Sequence, residues 1–177
     1  NTLTMDNASS AIETKNVNLT LGKALSLTSG SITSTGGTLT FTSGLTLGTA
    51  GALDVTGSTL SVSGALDLSS GTFISSDNNS VLDLQAATTL SSSAPVSFED
   101  VHFNGNVLTL GSASTHLKVN DNLTLSGIAL ETGAGSLSLS GALALTDNAS
   151  LNSSGGTITL NSGGTSTGSV VSLPGTT

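Results

Sequence analysis

Cysteine, arginine, tryptophan and tyrosine are absent from this 177-residue chain, and each absence closes a route. Without cysteine there is no disulfide and no thiolate metal site. With no arginine and only Lys15, Lys23 and Lys118 as permanent cations, little is available to displace counterions from a nucleic acid. The net charge of −8 repels DNA and an anionic membrane surface alike, so neither is expected as a partner. No apolar run approaches the roughly 20 residues of a membrane-spanning helix, so membrane insertion is not expected. Asn1 opens the sequence without a Met, a basic n-region or an apolar h-region, which reads as a processed chain or a segment of a longer one.

What remains is glycine (22 residues), serine, threonine, leucine and asparagine. Polar, Gly-rich chains are often disordered. Here the apolar fraction is 36%, and the leucines are periodic as linkers are not. Triplets of apolar–x–apolar begin at Leu3, Leu19, Leu39, Leu60, Leu82, Val101, Leu117, Leu137 and Ile158, with successive starts 16 to 22 residues apart. A second series follows most of them, at Leu25, Leu45, Leu66, Leu108, Leu123 and Leu143. A looser third apolar position follows at Ile32, Leu53/Val55, Phe73, Val96/Phe98, Ile128/Leu130, Leu151 and Val170.

A two-residue alternation is the period of a half-buried strand, and Gly, Asn and Ser–Gly punctuate between the triplets. Three short strands in each repeat of about 20 residues describe one coil of a right-handed parallel β-helix, and the chain holds roughly eight such coils. No 3.6-residue period occurs. An antiparallel barrel or sandwich also alternates, but it calls for longer strands and tight hairpin turns, and Asn104-Gly105 is the one clear hairpin dipeptide. The expectation is therefore an all-β solenoid over residues 1–162. Residues 163–177 are expected to form a tail, a linker or a terminal coil. The segment Ser92–Ser114, with Pro95, Phe98, Glu99-Asp100 and Phe103, departs from the repeat and predicts a bulge or loop.

The stretches Gly36-Gly-Thr-Leu-Thr-Phe-Thr-Ser-Gly-Leu-Thr-Leu47 and Gly135-Ser-Leu-Ser-Leu-Ser-Gly-Ala-Leu-Ala-Leu145 resemble the β-solenoid repeats of bacterial filamentous-haemagglutinin-type adhesins and autotransporter passengers. The resemblance extends over nearly the whole chain, on a generic motif. It implies an exported rod, secreted or held at a bacterial cell surface, whose role is structural or adhesive. Its expected partners are further solenoid coils stacked end to end, from flanking repeats or another copy, and a glycan or other surface ligand.

Catalysis is not expected. The eleven acids, from Asp6 to Asp147, are scattered along the chain, with three lysines and no arginine to complete an acid–base cluster or clamp a substrate carboxylate. No catalytic, cofactor or metal residue is assigned. If the first triplets stack, their outward residues run Thr20, Thr40, Ser61, Asp83, His102, Lys118, Ser138, Thr159. Asp83, His102 and Lys118 would then form an exposed charge ladder, of little energetic weight, or a small ionisable patch. Asp77-Asn78-Asn79 and Asn120-Asp121-Asn122 are oxygen-rich corners that turn chemistry explains as well as Ca²⁺ does. A second outward column, Ser26, Thr46, Asp67, Thr89, Thr109, Thr124, Ala144, raises an ice-binding alternative, although Asp and Ala interrupt it. The six Asn-x-Ser/Thr matches are what chance supplies in so Ser- and Thr-rich a chain.

Overall fold

In the computed structural model, which describes residues 2–76, 78–168 and 170–172, the chain is an all-β solenoid of about eight coils, with no helix among the described residues. Coil one holds β1 (Leu3–Met5), β2 (Ala11–Lys15) and β3 (Leu19–Leu21). Coil two holds β4 (Leu25–Thr35) and β5 (Thr38–Phe41), and coil three β6 (Leu45–Asp54) and β7 (Thr59–Val62). Coil four holds β8 (Leu66–Leu68), β9 (Thr72–Ile74) and β10 (Val81–Leu84). Coil five holds β11 (Thr88–Ser92), β12 (Val96–Phe98) and β13 (Asp100–His102). Coil six holds β14 (Leu108–Leu110), β15 (His116–Val119) and β16 (Leu123–Ser126), and coil seven β17 (Ala129–Gly133), β18 (Ser136–Leu139) and β19 (Leu143–Thr146). Coil eight holds β20 (Ser150–Ser153), β21 (Ile158–Leu160) and β22 (Gly164–Ser166), and β23 (Val170–Ser172) opens another turn.

All strand pairs are parallel and join one coil to the next. Face one runs the whole length as β1-β4-β6-β8-β11-β14-β17-β20-β23. The long strands β4 and β6 turn a corner, and their second halves pair with β2 and β9 to make face two of the N-terminal half. Face three there is β3-β5-β7-β10-β13. In the C-terminal half, β12-β15-β18-β21 and β16-β19-β22 form two further sheets. Pairing thus continues beyond residue 162, with β22 on β19 and β23 on β20. The Leu173-Pro174-Gly175 end lies outside the described residues.

The leucine period produces this arrangement because equivalent side chains from successive coils stack in columns. Leu19, Leu39, Leu60, Leu82 and Val101 are register partners on face three, and all but Leu19, in the first coil, are buried. On face one the column is Leu25, Leu45, Leu66, Leu90 and Leu110. Burial of each such side chain contributes about 2 kcal/mol. Corners follow the expected chemistry, since among the described residues the four non-glycine ones with positive φ are Asn16, Asn104, Asp147 and Asn148.

One corner of the N-terminal half is polar inside. Thr14 Oγ1 donates to Ser34 Oγ at 2.9 Å, and Ser58 Oγ donates to the same atom at 2.9 Å. Ser58 Oγ also accepts the Gly36 N–H, and Ser80 Oγ donates to the Val55 carbonyl one coil below. Among the described residues no buried side-chain nitrogen or oxygen lacks a partner, so the hydroxyl stack joins coils one to four without a desolvation penalty.

Candidate functional site

The expected outward column is real in its first five members and fails at the sixth. Thr20, Thr40, Ser61, Asp83 and His102 are successive register partners on face three. Lys118 is not the next rung: it pairs with Ser97 below and Ser138 above, on face two. Coil five is the cause, because it contributes two apolar triplets, Val96-x-Phe98 and Val101-x-Phe103, with only Glu99 and Asp100 between them. The first of these lies beneath Leu117-x-Val119.

Asp83 and His102 are therefore neighbours, but each is already engaged. Asp83 accepts from Ser61 Oγ, Gln85 Nε2 and Asn104 Nδ2. His102 Nε2 lies 2.9 Å from Asp100 Oδ2, with the imidazole half exposed. The same outward row also holds Asp100, opposite Val81.

Beside this pair the wall opens. Coils five and six are paired through Phe98–Asn120 and Glu99–Asp121, where the carbonyls of the first residues accept the N–H groups of the second at 3.0 and 2.8 Å. Beyond that point the chains part. Among the described residues β13 pairs only with β10, and β16 only with β19. The opening is a groove of about 450 Å³ lined by Asp100, His102, Asn104, Asn122 and Thr124, with Val101 and Phe103 below them. Val101 and Phe103 are no more than 5% exposed, so the core stays closed under the groove. The arrangement offers a carboxylate, an imidazole, two carboxamides and a hydroxyl on an apolar floor, suited to hydrogen-bonding a polyhydroxylated ligand. The sequence singled out His102, the Asn120–Asn122 corner, Asp100 in the irregular segment and Thr124 in the second outward column, each separately, and did not bring them together with Asn104. The available signal was the close spacing of the two triplets in coil five.

The two Asx corners do meet: Asn120 Nδ2 donates to Asn78 Oδ1 at 3.4 Å. Asp77 lies outside the described residues. Among those described, no three of His, Cys, Asp and Glu stand close enough to hold a metal ion.

The threonine column expected for an ice-binding face is a correction. It breaks into three: Ser26–Thr46–Asp67–Ser91, then Thr89–Thr109–Glu131–Asn152, then Thr124–Ala144–Thr165. Register slips by two residues at β11 and the second series changes face after Thr109, so no continuous threonine array forms.

Comparison with known proteins finds no matching family model, no matching curated protein and no matching solved structure.

Proposed function

We propose that this protein is a non-enzymatic structural rod, secreted or displayed on a bacterial surface, that extends a long adhesin or stacks end to end into a filament. The observation that carries this reading is the unbroken sheet of face one, which passes through every coil over a leucine core. Its interstrand hydrogen bonds lie along the rod axis, so a load along that axis is shared among several ladders at once. The repeat resemblance supports the extracellular setting, and the scattered acids with few cations support a non-catalytic role.

The terminal coils fit the stacking. Their core-column residues are open where interior ones are closed: Leu3 is 44% exposed and Leu160 38%, while Leu25 is 2%. At the last coil Gly164 and Ser166 take the places above Leu143 and Leu145, leaving an apolar opening of about 170 Å³. Coil eight and β23 carry none of the charged residues that blunt exposed strand edges. A further coil laid on either end would bury these groups and pair the edges.

In electron micrographs at rising concentration, rods are expected to lengthen in units of roughly 40 Å. The double variant Leu3→Lys, Leu160→Lys should hold them at single length. Single-length particles for both proteins would remove the filament form and leave the adhesin segment. Pulled between its ends, the rod should give way coil by coil, and collapse under negligible force would overturn the load-bearing reading.

The groove between β13 and β16 favours a second, adhesive reading, in which a neutral glycan is the ligand. His102→Ala with Thr124→Ala, both exposed, should abolish retention on a glycan surface and leave the melting temperature unchanged. Undiminished retention would place adhesion elsewhere.

A further inference from the structure

We infer that the rod is two half-solenoids sharing one continuous sheet, and that coil five is where it opens before either half unfolds. Elsewhere a coil meets its neighbour through ladders on its faces. Coil five loses one ladder on each side. Below it, face two is interrupted, since among the described residues β9 pairs only with β6 and β12 only with β15. Above it, face three is interrupted between β13 and β16. Face one alone crosses both levels, and it does so with a change of spacing: Leu66 and its partner Leu90 lie 24 residues apart, against 20 for Leu90 and Leu110.

In place of the missing lower ladder stand side-chain contacts, beside a backbone bond from the Glu99 N–H to the Ser80 carbonyl at 2.8 Å. At the lower break, the Phe73 and Phe98 rings meet at 6.0 Å and Ser75 Oγ donates to the Ser97 carbonyl. The turn that follows β13 is tied to coil four by side chains: Asn104 Nδ2 and Asn106 Nδ2 both donate to the Leu84 carbonyl, at 3.2 and 3.1 Å. Asn104 is exposed, and side-chain ties of this kind open at lower cost than a ladder buried within a stack of coils. The halves on either side have no such gap: β5 and β7 pair over four residues, as do β15 and β18. A bend or a first yield at coil five therefore leaves both leucine cores intact.

Amide hydrogen exchange on the intact protein tests this without load or partner, so it succeeds or fails independently of the proposed structural and adhesive roles. Amides of β12, β13 and the turn to Asn106 should exchange about ten-fold or more faster than those of β7 and β18. In Asn104→Ala with Asn106→Ala, exchange at coil five should rise further while β7 and β18 stay as they are. Uniform protection from coil four to coil six would overturn the inference, as would a variant that loosens all coils equally or changes none.

Discussion

Gly51→Ala is expected to lower stability by about 3 kcal/mol, a large effect for a single added methyl group. Gly51 lies in β6 opposite Gly30 of β4, at the corner where face one turns into face two. A Cβ there would overlap the Leu27 carbonyl oxygen and crowd Leu27 Cγ. The obstacle is backbone of the coil below, not the end of a flexible side chain, so it cannot swing aside. Gly71, one coil above, would in turn meet the Gly51 and Gly48 carbonyl oxygens at 2.6 and 2.8 Å if it carried a Cβ. The corner is thus packed with glycine through two successive interfaces, and relief requires coils two and three to separate.

A melt followed by circular dichroism should shift by about 10 °C for a chain of this length. Gly22→Ala is the matched control, because nothing lies within 4 Å of its added Cβ. It should stay within about 0.5 kcal/mol of the parent. If Gly51→Ala melted with the parent, the close seating of coil three on coil two at this corner would be wrong.

Coil number, strand type and core were legible in the sequence because one physical rule, alternation repeated at a fixed period, specifies all three. Leu25, Leu39, Leu60, Leu82 and Leu137, among the residues that carry the period, are buried in the columns it implies. The assignment of triplets to faces was not legible throughout. A Leu-Thr-Leu triplet reads the same whether it sits at Leu19 on face three, Leu45 on face one or Leu123 on the C-terminal continuation of face three. Phase must then be counted from the start, and a single irregular coil shifts everything after it.

Ser92–Ser114 is that irregular coil, and the sequence marked it as departing from the repeat. The consequence lay one step further. Two triplets separated by Glu99-Asp100 advance the count by a face, so Lys118 falls over Ser97 and not over His102. Length at each coil decides this, and the short corner at Glu99-Asp100 between the two triplets carries no Gly or Asn to mark it as a corner. The groove inherits the same difficulty. Its members lie at the ends of strands that share no ladder, so no periodicity relates Asp100 to Thr124.

Leu90→Ala should cost about 2–5 kcal/mol, the range for emptying a fully buried leucine site. It should also change the form of unfolding. Leu90 is 0% exposed and pairs with Leu66 below and Leu110 above, at the centre of the one sheet that crosses coil five. In a solenoid each coil is stabilised by its own packing and by its interfaces with two neighbours, so a weak interface divides the transition. A cavity at Leu90 weakens the shared sheet at the level where faces two and three are already interrupted. In Leu90→Ala the single melt of the parent should therefore become two resolved steps, one for each half. Leu39→Ala removes the same atoms from a fully buried site between coils that are paired on every side. It should destabilise the N-terminal half without dividing the transition. Equal behaviour of the two variants would mean that coil five is coupled to its neighbours as tightly as any other coil, and that its broken ladders carry no energetic consequence.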